Sequence, residues 1–242
     1  MKFGLHLRNS GPHATRDMLR DCARTADATA GIDDLWVFGH IAIPPDQAED
    51  SGGRYIDPLV TLAFIAGITE RISIGTRVLI LPYRPALPTA KWVAGIQELS
   101  NGRMLFGVGV GWMEEEFRAL GVDRSRRGEI TDDALEIIHR CFASDDVEIN
   151  GQRFLFRPRP ARPPIYVGGA ELRNLFREAG KPEPEILVQL RSSVDGIAGL
   201  KDRIGALGDI GVTRIAINAA HERVDEFREI AERVARLAQF TS

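Results

Sequence analysis

Residues 71–120 constrain the fold most, because two apolar strands there flank a single helix. A strand begins at Ile72, a helix begins near Pro85, and that helix stops at Ser100-Asn101-Gly102. A second strand, Met104–Val110, follows and ends at Gly111-Trp112. In parallel α/β proteins, ligands bind at the carboxyl ends of the strands. The segment therefore predicts a strand–helix–strand unit with a candidate ligand site at its glycine-rich end.

Strand and helix patterns alternate along almost the whole chain. Alternation of this kind predicts a parallel sheet, wound either as a barrel or as a doubly wound sheet. The regular rhythm of the helices favours a TIM-type (β/α) barrel. No linker or repeat divides the chain, so we expect one domain over residues 1–242, with a side hairpin around Asn150-Gly151. The expected wall strands are seven: 3–7, 35–39, 72–80, 104–110, 165–169, 186–191 and 214–218.

Composition narrows the class of protein. The chain has 242 residues, of which 44% are hydrophobic and 27% charged, with a formal net charge of −3. This charge balance does not indicate a basic surface for binding nucleic acid. No apolar run in the sequence is long enough to cross a membrane. The amino terminus reads as a strand and not as a signal peptide, so we expect a cytoplasmic protein. Cys22 and Cys141 are too few for a disulfide framework or a metal cluster, and we expect buried thiols and no metal.

Several motifs resemble the luciferase-like family, which includes bacterial luciferase-like monooxygenases and coenzyme F420-dependent oxidoreductases. FGLHL and LWVFGH (residues 35–40) resemble its first two strands, and IGTRVLILPYRPALPTAKWVAGIQELSNGRMLFGVGVGWMEEEF (residues 74–117) resembles its third and fourth βα units. The resemblance implies a barrel enzyme that uses F420 or FMN on a small organic substrate. The variant Gly-Val-Gly-Val-Gly-Trp is most similar to F420-using members, so we rank F420 above FMN. The resemblance also implies a homodimer, with Trp92 as a candidate interface residue, and a separate reductase as a further candidate partner.

Two departures from the family pattern matter. Members commonly carry Asp before the histidine of the second strand, whereas Gly39 precedes His40 here. Only residues 171–180 separate the fifth strand from the next, so we expect a barrel shortened by about one βα unit after strand 5. Such a gap must be left open, filled by side chains or covered by a partner. The alternative function is therefore a non-catalytic flavin-binding or structural homologue. A cofactor-free lyase or hydrolase is disfavoured, because no lysine and no acidic pair ends a strand.

Three glycines in the fourth strand can be interpreted in two ways. Gly107, Gly109 and Gly111 alternate along the strand and share one face. They leave room for a flat isoalloxazine or deazaflavin ring, or they relieve crowding inside the barrel. Their spacing is not that of a dinucleotide-binding turn. With Val110, they are candidate cofactor contacts.

The other candidates lie at strand ends. His40 is the candidate catalytic residue, as a proton donor or acceptor, or else a hydrogen-bonded rim histidine without chemistry. His6 and Trp112 are candidate pocket residues. By resemblance, Thr76, Arg77 and Val78 contact the cofactor through a non-prolyl cis peptide at Arg77–Val78; an ordinary strand is the alternative, and Arg77 could instead pair with a carboxylate. The remaining candidate cofactor contacts are Gly39 and the phosphate-cradling pair Gly168-Gly169, for which a simple strand-to-helix turn is the alternative.

Overall fold

The computed structural model describes residues 1–167 and 185–240, which form ten strands and seven α-helices. Short 3-10 turns join several of them. The strands are β1 (Lys2–His6), β2 (Asp34–Val37), β3 (Ser73–Thr76), β4 (Leu79–Ile80), β5 (Met104–Gly109), β6 (Asp146–Ile149), β7 (Gln152–Leu155), β8 (Ile165–Val167), β9 (Leu187–Ser192) and β10 (Arg214–Ala219). The helices are α1 (Arg16–Ala28), α2 (Pro58–Ala66), α3 (Ala86–Leu99), α4 (Glu114–Ala119), α5 (Arg127–Ala143), α6 (Lys201–Asp209) and α7 (Val224–Ala238).

The main sheet is parallel throughout and has the strand order of a TIM-type wall. Its order is β8, β5, β3 with β4, β2, β1, β10 and β9. β3 and β4 both pair with β5, so they are successive parts of one wall position, and the described residues form the seven wall positions predicted from the sequence. Parallel pairing brings the carboxyl ends of all these strands to one end. The predicted loss of a βα unit falls in residues 168–184, which lie outside the described residues.

Alternation along the strands divides the side chains into an outer and an inner set. Phe3, Leu5 and Leu35 are buried in the large core that joins the strands to the surrounding helices. The interior is filled by a smaller cluster of Trp36, Leu105, Tyr166 and Ala216. The bulk of Trp36 requires a small neighbour, because a Cβ at Gly75 would lie 2.5 Å from its ring.

Local sequence signals explain most element boundaries. Thr15 caps α1 by accepting a hydrogen bond from the Met18 amide, and Asp57 caps α2 in the same way. The β6–β7 hairpin turns at Asn150 and Gly151, both with positive φ, as predicted. The C-cap of α1 is Thr29, and Gly31 follows with φ of 88°.

A 3-10 helix at Asp195–Leu200 runs directly into α6. Both cysteines are free and buried, as expected. Within the described ranges, no helix is long and apolar enough to cross a membrane.

The amino-terminal end of the barrel interior holds a closed polar network. Arg214 forms ion pairs with Asp34 and, at 3.2 Å, with Glu185. Trp36 donates a hydrogen bond from its indole nitrogen to Asp34, and the Tyr166 hydroxyl donates to Glu185. Burial raises the pKa of Asp34 to about 6, against the opposing effects of Arg214 and Trp36. Because its charged groups pair with one another, this network is structural.

Candidate active site

A chain of aromatic rings runs from the barrel interior to its carboxyl-terminal rim. His6, at the end of β1, stacks on Phe38 with ring centroids 4.5 Å apart. Phe38 contacts Tyr55, which in turn lies edge-on to His40 at 5.2 Å. His40 then contacts Trp112 at 6.3 Å. The structure therefore brings together three residues predicted separately, His6, His40 and Trp112, and adds two that the sequence did not single out.

His40 is held by a buried carboxylate. Its Nδ1 lies 2.7 Å from Oε2 of Glu116, a residue of α4 with no exposed surface. The other carboxylate oxygen of Glu116 accepts hydrogen bonds from the amides of Ile41 and Ala42, at 2.6 and 3.0 Å. Because an ionised carboxylate only accepts, Nδ1 carries the hydrogen and Nε2 is left for other partners. The arrangement fixes both the tautomer and the orientation of the ring.

The electrostatics of Glu116 favour its ionised form. Burial alone would raise its pKa, but hydrogen bonds from His40, Ala42 and Ile41 outweigh that effect and lower the pKa. The Tyr83 hydroxyl also donates to Glu116, at 3.2 Å. Burial raises the pKa of Tyr83, and the neighbouring Glu116 charge raises it further, so Tyr83 keeps its proton.

Sequence reasoning missed Glu116. It is the last of three consecutive glutamates, and the other two are exposed. The one available signal was helical spacing, which puts Glu116 on the same face as Met113, a buried residue. Its partner His40 is 76 positions away in sequence, so the contact itself could not be read from the chain.

The wall is interrupted between β3 and β4, at Thr76–Val78. The Arg77–Val78 peptide bond is cis, which confirms the prediction made from the family resemblance. A Cβ at Gly107 would lie 1.9 Å from the Thr76 carbonyl oxygen, and one at Gly109 would lie 2.6 Å from Val78. Gly107 therefore makes room for the neighbouring backbone and Gly109 for the Val78 side chain, as the crowding alternative expects. Gly111 has φ of 80°, and its Cβ would meet Ile80 at 2.8 Å.

Arg77 and His221 leave polar atoms unsatisfied at this end of the barrel. Two Arg77 nitrogens, Nε and Nη1, are buried without a hydrogen-bond partner in the described residues, as is His221 Nε2. Burial lowers the pKa of His221. Burial also lowers the pKa of His6 well below its usual value, and the nearby Arg77 charge lowers it further. Both histidines are therefore neutral at pH 7.

Open volume adjoins the carboxyl-terminal end. A cavity of about 500 Å³ is lined by Arg8, His13, Arg54 and Glu222 together with residues 49–52. It borders the region just described, because Arg8 reaches the carbonyl of His221 at 3.4 Å. Acidic and basic side chains both line it, so its charge alone selects neither an anion nor a cation.

Comparison with known proteins decides the family. A family model described as luciferase-like monooxygenase matches residues 1–206. The chain belongs to the luciferase-like monooxygenase family. It is 30% identical over 160 residues to 4-hydroxyprotoasukamycin monooxygenase of Streptomyces nodosus subsp. asukaensis, which covers 62% of this chain and 41% of that protein.

Two solved structures show the same fold. An F420-dependent secondary alcohol dehydrogenase, in complex with an F420–acetone adduct, matches with a TM-score of 0.76 at 16% identity and covers 98% of each chain. A type II Baeyer–Villiger monooxygenase component from Pseudomonas putida, in complex with FMN, matches with a TM-score of 0.54 at 16% identity. It covers all of this chain and 63% of that one.

The family's usual Asp before the second-strand histidine would not fit here. A Cβ at Gly39 would lie 2.7 Å from Cδ of Pro58, the first residue of α2. Gly39 is thus required by the close approach of α2, and only its backbone could meet a ligand. In this member of the luciferase-like family, His40 takes its support from Glu116.

The remaining predicted residues fall into two groups. Val110 and Trp112 lie on the rim, where Trp112 is 62% exposed. Gly168 and Gly169 lie outside the described residues.

Proposed function

We propose that this protein is a flavin- or deazaflavin-dependent oxidoreductase that acts on a small organic substrate, with coenzyme F420 preferred to FMN. The observation that carries the proposal is His40, held by Glu116 at the carboxyl-terminal rim of a luciferase-like barrel. An exposed Trp112 and the interrupted wall at Thr76–Val78 lie at the same end.

The residues at the mouth fit a planar, polar ring. The backbone at Thr76–Val78 offers a floor, and the ring of Trp112 offers an apolar wall. Of the five buried side-chain polar atoms without a partner in the described ranges, four lie at this end, on Asn9, Arg77 and His221. Buried polar atoms are almost always satisfied by protein, water or ligand. A ring with nitrogen and carbonyl groups along one edge supplies suitable partners.

The chain's own residues would orient the reactants and handle a proton. When bound, the ring supplies hydride transfer or oxygen activation. Glu116 holds Nδ1 of His40, so Nε2 is the atom that accepts or donates a proton. Trp112 and Tyr55 lie edge-on to the His40 ring. Gly39, Gly109 and Val110 would contribute backbone contacts.

The choice of F420 over FMN rests on the Gly-Val-Gly-Val-Gly-Trp variant of residues 107–112. Both cofactors occur among the similar structures named above, so the fold does not separate them. If FMN is used, a separate reductase would supply its reduced form.

Equilibrium titration of the purified protein with F420 and with FMN, followed by cofactor fluorescence, tests the proposal. We expect micromolar or tighter binding of F420 and weaker binding of FMN. His40→Asn should keep the binding, and so should the control His139→Asn on the outer helix α5. Binding of neither cofactor by a folded protein would contradict the proposal and favour the non-catalytic alternative.

We also propose a homodimer through the outer face of α2 and α3. Trp92 and Leu99 of α3 are 48% and 71% exposed, and Val60 of the adjacent α2 is exposed as well. Analytical ultracentrifugation should find a dimer for the wild type and a monomer for Trp92→Glu. A monomeric wild type at micromolar concentration would contradict this proposal.

A further inference from the structure

Two arginines lie on different strands of the wall, on the side that faces the barrel interior, near its carboxyl-terminal end. Arg77 directly follows β3; its Nε and Nη1 are buried, and its charge lowers the pKa of His6 on β1. Arg191 lies in β9, four residues after Leu187, which packs against the interior cluster around Trp36. Residues two and four apart in a strand share a face, so Arg191 lies on the interior face of β9, although its side chain is exposed to solvent.

Arg77 has no counter-charge in the part of the chain that the structure describes. Its Nε and Nη1 are enclosed without a hydrogen-bond partner, and it forms no ion pair. Burial lowers the pKa of Arg77 to about 10, and the Arg191 charge acts in the same direction. Arg8 is a third cation close enough to act on His6. The surroundings of His6 are therefore positive, although the whole chain has a net charge of −3.

A guanidinium stays charged under ordinary conditions, so an enclosed and unpaired one needs an anion. We propose that Arg77 binds a carboxylate of the organic substrate inside the barrel mouth, with Arg191 as the second positive charge. The inference rests on the proposed function, which places the ring at the rim, and it names the substrate class as a small organic acid.

A carboxylate suits this position better than a neutral alcohol or ketone. The planar donors of arginine match the two oxygens of a carboxylate, and charge assistance makes such hydrogen bonds strong. A neutral group would leave the charge of Arg77, with its two buried nitrogens, uncompensated. Phe38, stacked on His6 beside this site, offers an apolar surface for the rest of the acid. The alternative partner for Arg77 is the anionic edge of the bound ring itself. The test below distinguishes the ring edge from a substrate carboxylate.

Isothermal titration calorimetry of the cofactor-free protein tests the inference. The probes are acetate, succinate and benzoate, each matched with its neutral amide. We expect at least one carboxylate to bind the wild type in preference to its amide, and Arg77→Met to weaken that binding by about tenfold or more. Arg16→Met, on the exposed face of α1, is the matched control and should bind as the wild type does. The bound carboxylate should also raise the Tm of the wild type and not that of Arg77→Met.

A second variant guards against misfolding. Arg77→Lys keeps the charge and should retain part of the carboxylate binding, while circular dichroism checks the fold of every variant. Equal carboxylate affinity in wild type and Arg77→Met would overturn the inference. So would a wild type that prefers no carboxylate while Arg77→Met loses F420 binding, since the arginine would then serve the ring. If carboxylate binding depends on Arg77 but neither F420 nor FMN binds, the anion site stands and the proposed function fails.

Discussion

Arg214 is buried and Arg77 half-buried in the barrel interior, at opposite ends and in opposite surroundings. At the amino-terminal end, Arg214 pairs with Asp34 and Glu185, and only its Nε lacks a partner in the described residues. At the carboxyl-terminal end, Arg77 forms no ion pair there, and another arginine is its charged neighbour. The same residue type is part of a closed network at one end and of an open site at the other.

This difference in pairing distinguishes structural polar groups from ligand-binding ones without comparison with any related protein. Polar groups that satisfy one another leave nothing for a ligand, whereas unsatisfied ones mark where a ligand belongs. Four of the five unsatisfied polar atoms of the described residues lie where the strands end, which is where TIM-type barrels bind ligands. The fifth, Nε of Arg214, belongs to a cation that is already paired with two carboxylates.

We expect the largest effect from a variant that breaks the ion-pair network around Arg214. Arg214→Met leaves Asp34 and Glu185 without their cation, and removing one partner of a buried pair costs about 3–5 kcal/mol of the free energy of unfolding. Urea denaturation measures it. Arg77→Met is the matched control and should cost nothing or raise stability, because it removes an unpaired buried charge. Equal losses in the two variants would break the comparison.

Substitutions at the barrel rim should lower the turnover rate. His40→Asn removes the proton-handling nitrogen and should lower the turnover rate about a hundredfold once a substrate is known. Glu116→Gln should lower it less, since His40 remains but loses its ionised partner. Neither variant should weaken F420 binding much, which fluorescence titration checks. Unchanged turnover in His40→Asn would remove this residue from the mechanism.

A steric effect tests the role of the glycines. Gly107→Ala places a methyl group against the Thr76 carbonyl, a backbone atom that cannot turn aside, so we expect a loss of about 2 kcal/mol in the free energy of unfolding. Gly95→Ala in α3, where a Cβ meets open space, is the control and should be neutral or stabilising. If Gly107→Ala keeps full stability but loses F420 binding, the glycine serves the ring and not the neighbouring backbone.

The two ends should also respond to acid with opposite signs. Burial lowers the pKa of His6 and His221, so the unfolded chain takes up protons near pH 6.5 and the folded chain does not. Each histidine should therefore reduce the free energy of unfolding as the pH falls from about 6.5 to its lowered pKa in the folded state, by at most about 1.4 kcal/mol per pH unit. Asp34, with a pKa of about 6, takes up its proton in the folded state first and should stabilise the fold as the pH falls from 6 towards 4.

Urea denaturation between pH 7 and pH 5 separates these contributions. His6→Gln should flatten the loss of stability on acidification, and Asp34→Asn should steepen it. If the free energy of unfolding changes with pH at the same rate in both variants, the two ends of the barrel do not respond to acid with opposite signs.

The sequence predicted the wall better than the site. Strand and helix alternation predicts the seven wall positions, because each strand carries its own apolar pattern. The interruption at Arg77–Val78 came from the family resemblance, since nothing in the local pattern of residues 72–80 marks it. Glu116 and Arg191 were missed because their roles depend on contacts between distant strands and helices. Gly107 was noticed, but its neighbour Thr76 becomes visible only when β3 and β5 are paired.

A crystal structure of the protein with F420 tests the central claim most directly. The account predicts the ring at the carboxyl-terminal mouth, with the backbone of Arg77–Val78 on one face and His40 Nε2 within hydrogen-bonding reach of the reacting region. A ring bound elsewhere on the molecule, with Arg77 and His221 still unsatisfied, would contradict it.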